Sequence, residues 1–162
     1  APEELASIVR RGAVILGVKI EEGGAYEVGR RARGTPRVAL RLLKRVRDIA
    51  QVRGHDYIDE ELARLALSMM GVDEEGLDER DRRFLRALVE LFDGGPAGLS
   101  TLAAALNEEA QTIEDIYEPY LIQKGYIERT PRGRKATQKA FAYLGRPCPW
   151  ADYRQVKLIS EE

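Results

Sequence analysis

The residues with the clearest chemical potential lie in one short stretch, residues 129–135, with the sequence RTPRGRK. Pro131 and Gly133 permit a tight bend within it. The flanking residues 126–130 alternate in polarity as a strand does, and residues 135–137 can pair back against them. The stretch is therefore predicted to form the tip of a β-hairpin.

Cations concentrated at such a tip point to a polyanionic ligand. Guanidinium groups bind phosphates as planar forks and can enter a narrow minor groove. Only Glu128 is close to them in the sequence, so we expect the charges to be unpaired locally. The residues predicted to contact DNA are Arg129, Arg132, Arg134 and Lys135.

A second candidate site lies at residues 33–37, with the sequence RGTPR. Thr35 suits the N-cap of a helix and Pro36 suits its first position, where a missing N–H costs nothing. Arg37 would then lie in the first helical turn, where free N–H groups and the helix dipole favour an anion. On its own, this pattern is more typical of an ordinary helix start than of a phosphate site.

The elements that must position the second site form a helical bundle. Apolar residues recur at three- and four-residue steps through residues 1–72, which indicates amphipathic helices. Residues 18–20 are predicted to be a connector. The predicted helices run from Pro2 to Gly17, from Ala25 to Arg33, from Pro36 to Gly54, and from a cap at Asp59 to Gly71.

The elements that must position the basic hairpin follow a polar linker at residues 73–76. Helices are predicted from Asp78 to the break at Gly94, over residues 102–106, from a cap at Thr112 to Gly125, and over residues 138–144. Three helices followed by a β-hairpin is the winged-helix order. The predicted fold class is thus mainly α, a four-helix domain followed by a winged helix with a small wing.

The helix beginning at Thr112 occupies the position of a recognition helix. Its first turns carry Glu114, Asp115 and Glu118, which DNA phosphates would repel. This argues against deep reading of the major groove. We expect the wing to make the contact instead, holding DNA by backbone and shape.

Composition excludes several function classes. The chain has 162 residues with a formal net charge of −1, so a uniformly basic nucleic-acid binder is excluded. A single cysteine, Cys148, excludes an internal disulfide or a multi-cysteine metal site, and the single histidine, His55, is predicted to be a solvated turn residue. The Gly-x-x-x-x-Gly-Lys-Ser/Thr phosphate loop does not occur. We therefore expect no ATP hydrolysis by this chain alone.

Several motifs together resemble one family. Residues 3–145 are similar to the C-terminal two-thirds of the RuvB family, ATP-driven motors that migrate Holliday junctions. The matching stretches are 31–37 (RARGTPR), 41–48 (RLLKRVRD), 94–99 (GGPAGL), 112–115 (TIED), 118–123 (EPYLIQ) and 129–134 (RTPRGR).

The resemblance implies a division into domains and a role for each site. Residues 1–72 would be the lid of an AAA+ ATPase, 73–76 a linker, 77–145 a DNA-binding winged helix, and 146–162 an unassigned tail. Arg37 would correspond to the sensor arginine that contacts the nucleotide phosphate, with Pro36 beside it. The wing arginines Arg129 and Arg134 match the family's DNA contacts, and Arg132 lies between them.

The resemblance also implies cofactors, partners and a compartment. The chain would be a fragment of a longer motor whose large domain, absent here, binds ATP with Mg and docks the partner RuvA. The complete protein would act as a cytoplasmic homo-hexamer on double-stranded DNA and Holliday junctions in recombination and repair, without a membrane.

Two other classes of binding protein fit the winged-helix pattern. One is a free-standing transcriptional regulator with a helical dimerisation domain, which would prefer one operator sequence. The other is an interaction protein whose winged helix binds another protein and has no affinity for DNA.

Overall fold

Two units divide the chain between Glu79 and Arg80. Residues 1–150 are described by this computed structural model. The expected tail, residues 146–162, lies mostly outside them. In the described part, no helix is both long and apolar enough to cross a bilayer.

The first unit contains the four predicted helices. They are α1 (Pro2–Leu16), α2 (Glu22–Arg30), α3 (Pro36–Val52) and α4 (Glu60–Met69). Asp59 caps α4 as predicted, since its Oδ1 accepts a hydrogen bond from Leu62 N at 2.7 Å. The prediction for α2 was wrong by three residues at each end. Left-handed backbone at Arg33 (φ 59°) and Gly34 (φ 71°) turns the chain between α2 and α3.

Two short strands in this unit were missed. Lys19–Ile20 (β1) pairs in parallel with Tyr57–Ile58 (β2), and Glu21 N extends the ladder by donating to Ile58 O at 2.8 Å. The connector predicted at residues 18–20 is therefore part of a small sheet. A two-residue strand is too short to show an alternating pattern, and its partner lies far away in the sequence.

The core of the first unit is formed by the apolar faces of its helices. Burying a Leu or Val side chain stabilises a fold by roughly 1.5–3 kcal/mol. The fully buried members of this core include Val9, Val28, Leu43, Val46, Ile58 and Leu67.

The second unit begins with three helical segments. Helix α5 is Glu79–Arg86 and continues as a π-helical turn, Ala87–Leu91, and α6 is Leu99–Leu106. Helix α7 runs continuously through Ala110–Thr112, a π-helical turn at Ile113–Tyr117, and Glu118–Gln123.

The cap predicted at Thr112 was wrong. Thr112 has helical angles (φ −62°, ψ −41°) and makes no capping hydrogen bond, because α7 already starts after Glu109. The acidic residue three positions after Thr112, Asp115, suggested a capping box and hence a helix start, but the turn that follows α6 places the start earlier.

A β-hairpin and a final helix complete the winged helix. Strands β3 (Ile127–Thr130) and β4 (Gly133–Ala136) pair antiparallel, and helix α8 is Gln138–Tyr143. The predicted order of three helices and a hairpin is confirmed. The fully buried core of this unit includes Phe84, Leu85, Leu88, Leu102, Ile113 and Leu121.

Candidate nucleic-acid interface

Two of the predicted DNA-binding arginines are paired across the hairpin. Arg129 and Arg134 are register partners in β3 and β4. Directly opposed residues of an antiparallel pair project from the same face, and residues two positions along share that face. Ile127 and Ala136 are also register partners, and both are buried. The two arginines therefore extend from the inner, core-packed face of the wing.

This inner face brings the arginines to a carboxylate on α7. Glu118 has no solvent exposure. Its Oε2 accepts from Arg129 Nε at 3.0 Å and Nη2 at 2.5 Å, and its Oε1 accepts from Arg134 Nε at 2.5 Å. The prediction that the wing charges are unpaired locally was thus wrong for these two. The pairing partner lies 11 and 16 residues away in the sequence.

The pairing leaves part of each guanidinium group free. A second acid, Glu114, lies 3.4 Å from Arg134 Nη2. The Arg129 side chain is 54% exposed and that of Arg134 is 16% exposed. Within residues 1–150, neither Nη1 atom donates a hydrogen bond. Each arginine thus keeps an uncommitted edge that can meet a phosphate.

The acidic residues of α7 do not form one repulsive surface. The expectation that Glu118 faces DNA was wrong, because its side chain points into the protein. Glu114 is partly exposed at 39%, and the exposed Asp115 accepts hydrogen bonds from Gln111 Nε2 at 3.0 Å. The outward face of α7 therefore retains Asp115 and Glu114 but loses Glu118.

Backbone hydrogen bonds between Arg134 and Ala97 also hold β4 in position. Ala97 N donates to Arg134 O at 2.9 Å, and Arg134 N donates to Ala97 O at 2.7 Å. A Cβ at Gly133 (φ 131°) would lie 2.5 Å from Ala97 O, and one at Gly95 (φ 85°) would lie 2.3 Å from Arg134 O. The two glycines are needed for this close approach and hence for the position of Arg134.

The other two predicted cations have different environments. Arg132 is exposed at the tip, and its side chain has no partner among the described residues. The turn is closed by Thr130, whose Oγ1 donates to Gly133 O at 2.8 Å. The Lys135 ammonium lies 4.4 Å from the centroid of Trp150, which itself packs edge-on against Phe141. Arg132 is therefore the most available charge of the wing.

Pro36 and Arg37 lie where the sequence indicated. Both are exposed at the start of α3. Thr35 does not cap the helix with its side chain, since its Oγ1 donates to Arg33 O at 3.3 Å. In residues 1–150 Arg37 has no hydrogen bond or ion pair, so an exposed guanidinium lies beside uncapped helical N–H groups. This chemistry fits the phosphate of a nucleotide such as ATP.

A buried charge cluster in the first unit was missed by the sequence reasoning. Glu27 is 2% exposed, and its carboxylate accepts from Arg30 Nε at 3.2 Å and Arg31 Nη2 at 3.1 Å. Arg64 Nε lies 3.4 Å from Glu27 Oε1. Burial raises the pKa of Glu27, but the hydrogen bonds and charges of Arg30 and Arg31 outweigh it, so the net pKa lies below the usual 4.5.

This cluster also anchors the chain segment that follows α4. Arg30 Nη1 donates to Glu74 O and Arg31 Nη1 donates to Val72 O, each at 3.2 Å. Arginines three and four residues after Glu27 were a signal available in the sequence. That signal does not reveal whether a carboxylate is buried.

Metal and thiol chemistry have little support in the described residues. No group of His, Cys, Asp or Glu there could hold a metal ion. His55 is exposed, in line with a solvated turn residue, and Cys148 is a free, partly exposed thiol.

Comparison with known proteins identifies both units. Residues 1–73 match the model of the RuvB AAA lid domain, and residues 74–145 match that of the RuvB C-terminal winged helix domain. The fold is thus that of an AAA lid domain followed by a winged helix domain, both of the RuvB type.

Individual relatives agree with the domain models. The chain is 59% identical over 147 residues to the Holliday junction branch migration complex subunit RuvB of Chloroflexus aurantiacus, covering 91% of this chain and 42% of that protein. It is 61% identical over 146 residues to the RuvB subunit of Rubrobacter xylanophilus, covering 90% and 41%. The chain therefore spans about two-fifths of the length of these relatives.

A solved structure shows the same arrangement of elements. The Thermotoga maritima RuvB Holliday junction branch migration motor superposes with a TM-score of 0.88 at 44% identity, covering 92% of this chain and 50% of that one. The chain belongs to the RuvB family. The resemblance noted in its sequence motifs is confirmed.

Proposed function

We propose that this chain supplies the lid and the DNA-binding part of an ATP-dependent motor that migrates Holliday junctions in recombination and repair. The wing grips duplex DNA through backbone contacts, and the lid senses the nucleotide. The proposal draws on the family to which the chain belongs, and on the chemistry of its two exposed arginine sites.

The observation that carries the proposal is the arrangement of the wing arginines. Within the part of the chain that the structure describes, Arg129 and Arg134 are held side by side with free Nη1 edges, and Arg132 at the tip has no side-chain partner. Guanidinium groups with free edges donate to phosphate oxygens. Contacts of this kind position a protein on DNA without reading its sequence.

The outward face of α7 supports backbone binding over base reading. Its exposed residues include Gln111, Asp115, Ile116, Pro119, Ile122 and, at its C-terminal end, Gln123. Base reading in the major groove relies on side chains such as Arg, Lys, Asn or Gln, mostly from the N-terminal part of the recognition helix. In that part of α7, Gln111 is already bonded to Asp115, and Gln123 lies at the opposite end. A sequence-specific regulator therefore has weaker support than a backbone-gripping module.

The lid site extends the proposal to the nucleotide. Arg37 and the adjacent start of α3 would contact a phosphate, with Pro36 setting the first helical turn. Bound ATP with Mg would supply the hydrolysable phosphoanhydride, through a nucleotide-binding domain that is not part of this chain. Arg37 would orient toward that phosphate and so make the lid respond to its presence.

Membership of the RuvB family also suggests the domain boundaries, the partners and the compartment. We propose 1–72 as the lid, 73–76 as the linker and 77–145 as the winged helix. The matching partners would be double-stranded DNA, the Holliday junction, RuvA and other copies of the complete protein in a hexamer. Acting on chromosomal DNA would place the protein in the cytoplasm.

The test is salt-dependent binding to three unrelated duplexes and a four-way junction. The wild-type chain should bind all duplexes with similar affinity, and Arg129→Ala/Arg134→Ala should weaken each alike. The slope of log K against log salt should flatten by about one unit for each lost phosphate contact. A strong preference for one duplex would favour a transcriptional regulator, and no binding at low salt would favour a protein-binding winged helix.

A further inference from the structure

The charge arrangement beneath the wing requires an explanation beyond DNA binding. Like charges directly opposed on one face of a β-hairpin destabilise the pairing. Arg129 and Arg134 are opposed in this way, and a single carboxylate, Glu118, lies between them without solvent exposure. A buried ion pair is weak evidence for stability, because removing two charges from water offsets much of their attraction. The hydrogen-bond geometry, in contrast, shows how the two guanidinium groups are oriented.

Glu118 engages the two arginines through the same edge of each guanidinium group. It accepts from the Nε of both, at 3.0 Å for Arg129 and 2.5 Å for Arg134. A guanidinium group is planar, so bonds at Nε and Nη2 fix the direction of the remaining Nη1. Both Nη1 atoms thereby keep a set orientation in the absence of any ligand. Two long side chains would otherwise lose rotamer freedom on binding DNA.

We propose that Glu118 is a positioning residue, which orients Arg129 and Arg134 into a preformed clamp for a DNA phosphate. This inference rests on the proposed function and adds a residue to it that does not touch DNA. In the complex, phosphate oxygens take the Nη1 donors while both Nε–H groups stay on Glu118. Glu118 is thus an acid that strengthens binding to a polyanion.

The proposal makes a prediction opposite to that of simple electrostatics. Replacing an acid near DNA with a neutral residue reduces repulsion and should tighten binding. If Glu118 positions the clamp, Glu118→Gln should instead weaken binding. The two Nε–H groups bond different oxygens of the carboxylate, and an amide would replace one of these oxygens with an NH2 donor facing an N–H group. Glu118→Asp keeps the charge but withdraws it by one methylene, and it should weaken binding as well.

Glu114 provides the matched control. It is also an acid of α7 and also lies near Arg134, at 3.4 Å, but it is 39% exposed and contacts neither Nε atom. Glu114→Gln removes the same charge but leaves the guanidinium groups of Arg129 and Arg134 bonded to Glu118. It should leave binding unchanged or tighten it.

The experiment measures binding of a labelled duplex by fluorescence anisotropy across a salt series. Glu118→Gln is expected to bind about tenfold more weakly at low salt, the effect of losing a charge-assisted hydrogen bond. Its salt slope should be shallower by about one unit. Circular dichroism and a thermal melt establish that each variant is folded at the temperature of measurement. Equal or tighter binding by folded Glu118→Gln would overturn the proposal.

A measurement on the wild-type chain covers the case in which Glu118 variants do not fold. The Nε–H resonances of Arg129 and Arg134, assigned with arginine substitutions, report their hydrogen bonds directly. Both should be protected from solvent exchange without DNA and keep their chemical shifts on titration with a duplex. Transfer of either Nε–H to a phosphate, seen as a large shift, would contradict the proposal. Failure of the wild type to bind any duplex would reject the proposed function instead.

Discussion

Arg129 and Arg134 face each other across the wing, and each donates its Nε–H to the same buried carboxylate. The wing is therefore not a loose cluster of positive charges. Two of its arginines have a fixed orientation. Arg132 at the tip has no side-chain partner among the described residues, so it can change its conformation. This difference between ordered and adaptable cations leads to distinct expectations for each.

Arg132→Ala should weaken DNA binding without affecting the fold. The side chain is exposed and has no partner within residues 1–150, so the free energy of unfolding should change by less than about 0.5 kcal/mol. Affinity for three unrelated duplexes should fall by a similar factor, and the salt slope should flatten by about one unit. Anisotropy and thermal melts test both parts. Arg132→Lys, which keeps the charge, should retain most of the affinity.

Gly133→Ala should distort the wing. A Cβ there would lie 2.5 Å from Ala97 O, and φ is 131°. Gly125→Ala is the control, because Gly125 also has positive φ, 78°, but no atom lies within 4 Å of the added Cβ. We expect Gly125→Ala to cost about 1 kcal/mol from backbone strain alone, and Gly133→Ala to cost more and to weaken DNA binding. Chemical denaturation and fluorescence anisotropy distinguish the two variants. An equal loss of unfolding free energy in both would contradict the close approach of residue 133 to Ala97 O.

Glu27 should make the first unit sensitive to acid. Its folded pKa lies below 4.5, the usual and unfolded value. A lowered folded pKa contributes stability that is present above 4.5 and is lost as the pH falls through the folded pKa. The protection of amides in α2 and α4, measured as the ratio of intrinsic to observed exchange rates at each pH, should therefore fall below about pH 4.5.

Glu27→Gln should largely remove this pH dependence and cost about 3 kcal/mol, because it leaves Arg31 buried without its charge partner. Glu60→Gln is the matched control, since Glu60 also bonds Arg64, at 2.7 Å, but is 50% exposed. It should cost less than about 1 kcal/mol. An equal loss in the two variants would show that burial of Glu27 does not matter.

The fluorescence of Trp150 should change when DNA binds to the wing. It is the only tryptophan of the sequence, and the Lys135 ammonium lies 4.4 Å from its ring. DNA contact by Lys135 would move this cation from the indole and change the emission. Lys135→Met should abolish the change. Lys139→Met, which removes the cation above Tyr126, should not, and a DNA-induced change that survives Lys135→Met would argue against this contact.

Arg37→Ala should leave this chain intact and affect only nucleotide response. The side chain is exposed and without a partner in the described part, so thermal stability and duplex binding should match the wild type. In a protein that joins this lid to a nucleotide-binding domain, the same change should reduce ATP turnover. Unchanged turnover in that context would remove the support for a sensor role.

The sequence by itself determined the helical architecture, the order of the winged helix and the position of the basic hairpin. These features depend on local periods and on residues with strong backbone preferences, such as Pro131 and Gly133, and Pro36 with Thr35 before it. Such signals depend on only a few neighbouring residues, so they can be recognised in the sequence without knowledge of the tertiary structure. The chemical types of Arg37 and the wing arginines likewise followed from the sequence alone.

Only the tertiary structure decided which charges are free and which are paired. Glu118 and Glu114 lie on the same helix four residues apart, yet one is fully buried and the other is partly exposed. The difference arises because β3 and β4 pack against α7 over Glu118, from 11 to 16 residues away in the sequence. The residue type of a carboxylate does not reveal whether it is buried or exposed. The packing of α7 against the hairpin determines whether such a carboxylate faces solvent or bonds the wing arginines.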